Sequence, residues 1–422
     1  MTIIRDWLDR LIVTSLCIFI FVIPFSKSMI EACFMTAFVL WIFKRTLSYQ
    51  KGASLINLFK PVGTVLSLPL FLFILAGFLS IFTSASVSLS LRAFFSKLLK
   101  GVFLYFIITE TIDNKKKLNF ILISMFLSML TIGIDGIFQF IKGWDFLRHY
   151  PNLGRVSASF INPNGFGGWL TVMLPLALSI GIFNKGFRMR RVVKIMVWVL
   201  ICILALCLVT TYSRGAWLGT ILALLFVGIL KKRKFLIFAI FIVLAAPFII
   251  PDPLKNYILT TFPLIPPYPV KARLCSIMLS ASPARINLWR EAFAIIKDFP
   301  VFGCGLNTYS IVAPHYKLAA AEAGIYPHNS YLQMAAETGI VGLTSFLWII
   351  LVLFKSSLNS LKKIKDALYC NVLIGLLAGM FGFLVHSFFD VNFYALQLAN
   401  LMWFIMGLII AVQKTALTEE SA

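Results

Sequence analysis

The stretch YPHNSYLQMAAETGIVGLTSF runs from Tyr326 to Phe346. It opens on a polar pair, His328 and Asn329, beside Pro327, and turns at once into an apolar helix holding Glu337, Gly339 and Gly342. That apolar run extends over 330–354, long enough to cross a hydrocarbon core of about 30 Å. Similar runs lie at 10–25, 29–43, 64–82, 91–109, 118–141, 165–183, 192–211, 214–230, 235–251, 368–388 and 392–412. Hydropathy therefore predicts an all-α, polytopic integral membrane protein of about twelve transmembrane helices. Within lipid such runs must be helical, because each backbone group needs a partner inside its own segment.

Composition agrees. Of 422 residues 60% are hydrophobic and only 13% charged, against about 25% charged in a soluble domain. The net charge of +22 does not point to nucleic acid, because Lys and Arg collect in short connections. Lys44–Lys60, Lys115–Lys117, Lys185–Lys194, Lys231–Lys234 and Lys355–Lys365 all fall on one side when the spans number twelve. The positive-inside rule makes that side cytoplasmic and puts both termini there. Pro24–Ser28 offers no small-residue cleavage site, so no cleaved leader is expected. The organisation expected is nine helices over 1–251, a periplasmic loop with short interfacial helices over 252–329, three helices over 330–413 and a cytoplasmic tail over 414–422. In the loop, Ser282 and Pro283 read as a helix start, with Arg285, Leu288, Trp289, Ala292 and Ile296 on one face.

Candidate chemistry gathers on the external side. His328 fits a general base, since imidazole accepts a proton near neutral pH; capping its helix is the plainer role. Arg214, in TTYSRGAWLG, sits where two spans meet, a depth at which charge hints at function. Arg285 and Arg290 share the loop helix about 140° apart, so they need not face one target. Arg155 precedes Asn162 and Asn164. Guanidinium forks suit phosphate. Arg92, Lys97 and Lys100 stand inside an apolar stretch, where the lysines line a polar cavity or mark a shifted span. Glu337, nine residues beyond His328, points to another side of the helix and reads as structural, paired with a basic residue of another span. Gly339 and Gly342 suit close helix contact. Cys275 and Cys304 share the external loop, where a disulfide is permitted. No Asp-x-Asp pair, zinc-type spacing or Walker motif occurs, so no metal or other cofactor is expected.

The motif His328-Asn329, nine residues, Gly339, two residues, Gly342 resembles the signature of the O-antigen ligase family, a superfamily shared with O-antigen polymerases and protein O-oligosaccharyltransferases. YSRGAWLG (212–219), RINLWREAFAIIKDFPVFGCGLNTY (285–309) and GRVSASFINPNGFGGWL (154–170) extend the likeness. The resemblance implies a glycosyltransferase of the bacterial inner membrane with a periplasmic active site. Its donor would be a glycan on undecaprenyl pyrophosphate, and in a ligase its acceptor would be lipid A–core. By position His328 matches the family's essential histidine, Arg285 its loop arginine and Arg214 its membrane-boundary arginine, with Arg290 and Arg155 weaker matches. Asn329, Glu337, Gly339, Gly342 and Asn164 would be supporting positions. A polymerase would use the same donor, and a protein O-oligosaccharyltransferase or a lipid-linked glycan transporter are more distant readings.

Overall fold

The computed structural model describes residues 2–47, 63–182, 191–232, 283–317 and 326–418. The expected span at 235–251, loop residues 252–282 and Cys275 lie outside the described residues. Every named element is a helix. They are α1 (Thr2–Val22), α2 (Lys27–Leu47), α3 (Ser67–Leu79), α4 (Val87–Ala93), a π turn (Phe94–Leu99), α5 (Lys100–Thr111), α6 (Lys115–Lys142), α7 (Pro163–Ile182), α8 (Arg191–Thr210) and α9 (Arg214–Leu230). After these come α10 (Pro283–Asp298), α11 (Tyr309–Val312), α12 (Ser330–Leu361), α13 (Ala367–His386) and α14 (Leu396–Thr418).

Among the described residues six helices, α6, α7, α8, α12, α13 and α14, are long and apolar enough to cross a membrane. The expected number was about twelve. Two of the other apolar helices, α3 and α9, are shorter, and α1 and α2 carry charged residues within their length.

Described residues at the edges of four basic connections, 44–60, 115–117, 231–234 and 355–365, meet at one end of the bundle. Asp9 of α1 holds both Lys44 and Lys117. Arg45 pairs with Glu110 at 2.5 Å, and Lys115 with Asp366 at 3.2 Å. Lys231 donates to Asn371 Oδ1 at 2.5 Å. These contacts tie the ends of α1, α2, α5, α9 and α13 to the start of α6, as the alternation of basic loops requires.

Helix α13 packs on α7 and α9 through small residues. A Cβ on Gly375 would lie 2.7 Å from Leu176 Cα, one on Gly379 2.4 Å from Val172 O, and one on Gly382 2.7 Å from Gly219 O. With no solvent-driven hydrophobic effect between spans, such close backbone approach supplies much of the packing.

Helix α12 is broken. At Gly339 the backbone takes φ 67°, ψ −173°, which interrupts the helical ladder. Residues 300–305 fill the gap. Ile340 N donates to Pro300 O at 2.9 Å, Cys304 N to Ala336 O at 2.8 Å, and Gly305 N to Glu337 O at 3.0 Å. The same segment is held from its other side, where Thr83 Oγ1 donates to Gly303 O at 2.7 Å and Ala85 N to Cys304 O at 2.9 Å. Close contact was expected at Gly339, but what it admits is this loop rather than another helix: a Cβ there would meet Val301 O at 2.0 Å. Gly342 also differs from expectation, since its missing Cβ makes room for Thr338 Oγ1 of its own helix.

Gly339→Ala should therefore destabilise the protein by about 1–3 kcal/mol from backbone strain alone, with the clash against Val301 added. Gly63→Ala, with nothing within 4 Å of the new methyl, should not. Thermal unfolding of both variants in detergent checks this; equal midpoints would show that the break at Gly339 is not required.

Candidate active site

The polar mouth forms at the end of the bundle away from the basic connections. Asn329 caps α12, its Oδ1 accepting from Tyr331 N at 3.0 Å and Leu332 N at 3.1 Å. This satisfies two amide groups that the first turn leaves open. With the cap fixed, His328 lies just outside the helix and takes φ +46°, a conformation uncommon for a side chain of that bulk. The turn aims its imidazole at the α13–α14 connection. There His328 Nδ1 lies 3.5 Å from Asp390 Oδ1. Ser330 fastens that connection to the cap: its N–H donates to Ser387 O at 2.9 Å and its hydroxyl to Asp390 O at 2.8 Å.

Helix α10 approaches from above. Leu288, Ala292 and Ile295 are its buried face, and Ala292 and Ile295 pack with Ala336 of α12 and Cys304, Tyr309 and Val312 of the loop. The expected face included Arg285, Leu288, Trp289 and Ala292; the burial shifts it to Ile295, with Ile296 at its margin. Trp289 Nε1 donates to Pro327 O at 2.9 Å. Because Trp289 follows Arg285 by four residues, both lie on one side of α10. The bond therefore holds Arg285 beside the His328 turn.

Arg285 is half-buried and feels two charges, the Asp390 carboxylate and the Arg214 guanidinium. Burial lowers its pKa, Asp390 raises it and Arg214 lowers it, leaving it below the ordinary guanidinium value. Arg214 itself is the first residue of α9, partly buried. Asp390 responds in the opposite sense. Burial raises its carboxyl, but the hydrogen bond with His328, the charge of His386 and a bond from Val391 N outweigh that, and it sits below the usual carboxylate range. Arg285 thus lies between an ionised carboxylate and a second guanidinium in a partly buried mouth, an excess of positive charge suited to an anion.

His386 backs the cluster. It is buried, its Nδ1 lies 3.0 Å from Asn392 Nδ2, and the missing side chains of Gly168 and Gly215 make its space.

Not every expected residue joins this group. Arg155 spends its fork on neighbours: Nε donates to Thr211 O at 2.8 Å and one terminal nitrogen to Asn164 Oδ1 at 2.8 Å. It pins the start of α7 to the turn before Arg214, and Asn164 acts as its acceptor. Arg290 is exposed, one and a half turns beyond Arg285. Glu337 is buried in the break of α12, accepting from Asn307 N at 2.7 Å and Gln333 Nε2 at 3.1 Å. Lys97 of another span is the cation whose charge it feels, but the two form no ion pair. Lys97 and Lys100 line a cavity, as one of their two sequence readings required. Cys304 is buried and free among the described residues. No group of three or more His, Cys, Asp or Glu side chains among the described residues is arranged to hold a metal ion.

The residue that sequence reasoning undervalued is Asp390. In the sequence 62 residues and a whole span separate it from His328. Its one local signal is an acid just past the end of an apolar run, in HSFFDVNFY (386–394).

No curated protein matches the chain. Residues 198–347, which include Arg214, α10 with Arg285, the segment that fills the break in α12, and the His328-Asn329 cap, match the family model described as O-antigen ligase.

Proposed function

We propose that the chain is an inner-membrane glycosyltransferase that moves O-antigen polysaccharide from undecaprenyl pyrophosphate to a sugar hydroxyl of lipid A–core on the periplasmic face. The observation that carries this reading is the convergence of His328, Arg285 and Arg214, all within the stretch matched by the family model, with Asp390 from outside it, at one end of a membrane bundle.

Each group has a task. With its Nδ1–H turned to Asp390, His328 keeps a lone pair on Nε2. That nitrogen takes the proton of the incoming hydroxyl. The hydroxyl oxygen attacks the anomeric carbon, and the bond from that carbon to the pyrophosphate oxygen breaks in the same displacement. Configuration inverts once. Arg285 and Arg214 meet the charge that grows on the departing pyrophosphate, and fixed donors in a partly buried site stabilise it without reorganising. Asp390 holds the imidazole in the required tautomer and stabilises it once protonated. Arg155 and Asn164 act one step back by fixing the turn that carries Arg214. Arg290 offers a further cation at the rim. The acceptor distinguishes this reading from polymerisation, in which a second carrier-linked repeat would take the place of lipid A–core.

In a strain lacking the chain, long polymer should accumulate on the carrier while lipid A–core stays bare. Core capped with a single repeat on a gel of surface polysaccharide would instead establish a polymerase. His328→Ala should abolish transfer by about 10²-fold or more, the usual contribution of a general base, while the protein remains folded in the membrane. An active variant would remove the proposed base. Arg285→Ala should be nearly as damaging, and Arg285→Lys should restore little, because the fork is lost. Asp390→Asn should lower turnover by about tenfold or more, less than loss of the base itself, with donor binding intact in a direct binding assay. Loss of donor binding instead would make Asp390 a structural support.

A further inference from the structure

Beside the α13–α14 connection the bundle holds a cavity of about 500 Å³. Phe393 and Tyr394 of that connection line it, three and four residues along the chain from Asp390. The walls are divided by chemistry. Phe73, Phe346 and Trp403 make an apolar side, while Lys27, Lys97 and Lys100 supply cations.

The lysines differ in their partners. Lys100 donates to Glu31 at 2.5 Å and is neutralised there. Glu337, the other carboxylate in the wall, is occupied by Asn307 N and Gln333. Lys97 donates only to the neutral Asn307 Oδ1 at 2.6 Å, and among the described residues no carboxylate lies within ion-pair distance of it. Lys97 sits ten residues along from the start of α4, about 15 Å from the mouth end of that helix, so it falls within the apolar thickness of a bilayer. A cation at that depth is normally paired within the protein. It is carried on a π turn, Phe94–Leu99, and it and Ser96 are exposed, so the cavity opens beside them.

From a lysine that feels the charge of Glu337 but makes no ion-pair contact among the described residues, together with the apolar wall and the opening beside it, we infer that this cavity receives the phosphorylated headgroup of the acceptor lipid, with Lys97 on the phosphate and the first part of the acyl chains against Phe73, Phe346 and Trp403. The inference rests on the proposed transferase reading. That reaction joins two lipid-borne substrates, and the arginines at the mouth are assigned to the donor pyrophosphate. A second anionic lipid needs a second cationic entry, and the cavity provides one whose wall includes residues of the connection that carries Asp390. Lys27, exposed at the mouth end of α2, extends the cationic side outward.

The test is direct binding of radiolabelled lipid A to the purified full chain in detergent. Wild type, Lys97→Gln, Lys97→Arg, His328→Ala and Lys142→Gln are compared, the last removing an exposed charge elsewhere. Lys97→Gln should weaken binding by about tenfold or more, as loss of a charge-assisted hydrogen bond does, while the other three variants bind like wild type. Dephosphorylated lipid A should bind the wild type as weakly as lipid A binds Lys97→Gln. Wild-type affinity in a folded Lys97→Gln protein, or for the dephosphorylated lipid, would overturn the assignment. Full competition by millimolar inorganic phosphate would make the site one for free phosphate, and competition by undecaprenyl phosphate would give it to the donor; either result also overturns it. Retained binding by His328→Ala with transfer lost separates this proposal from the catalytic one, since binding is read without turnover.

Discussion

A helix broken inside a membrane exposes backbone groups that lipid cannot satisfy, and the break at Gly339 is the constraint on which the mouth of this protein depends. Irregular backbone at such depth is tolerated only where protein covers it. Here the cover is the segment 300–305, which takes up the carbonyls of Ala336 and Glu337 and the amide of Ile340. That segment continues directly from α10, so sealing the break also fixes where α10 lies. Arg285 is then delivered beside His328 by the same contacts that repair the ladder. The buried carboxylate of Glu337 completes the repair by accepting from Asn307 N. Structure and site are therefore not separable in this region.

The electrostatics follow from the same placement. Arg214 and Arg285 come from elements far apart in the chain and repel each other, yet both are partly buried, and Arg285 also feels the Asp390 carboxylate. Such an arrangement stores an unfavourable interaction that a bound anion relieves. Asp390 lowers the repulsion without cancelling it and also faces the imidazole. A single acid thus steadies the base and tempers the anion site.

Much of this was legible beforehand, for reasons that can be named. Apolar length and loop charge gave the helices and their alternation, because both depend only on local sequence. The number of spans was less secure: α1 and α2 carry charges that belong to the ion-pair cluster of Asp9, Lys44, Lys117, Arg45 and Glu110. His328, Arg285 and Arg214 stood out as polar groups at the edges of apolar runs. The partnership of His328 with Asp390 did not, since it joins two helix ends across 62 residues. Arg155 looked like an anion ligand by residue type, but its donors are committed to Thr211 and Asn164. A glycine in an apolar helix commonly signals close helix packing. At Gly339 it signals a break, and only the φ of 67° distinguishes the two.

The glycine contacts of α13 carry a meaning beyond cohesion. Gly382 crosses Gly219 on α9, and one turn nearer the mouth Gly215 meets His386. Arg214 follows on α9, and Asp390 follows on the chain leaving α13. The two helices touch backbone to backbone, so neither can slide on a cushion of side chains. A shift of α13 by one residue would carry Asp390 about 1.5 Å along the axis and change its spacing from Arg214. The spacing of charges at the mouth is thus ruled from inside the bilayer, by a gauge made of missing side chains. Variation in residues that touch no substrate, several turns below the chemistry, is variation in the dimensions of the site.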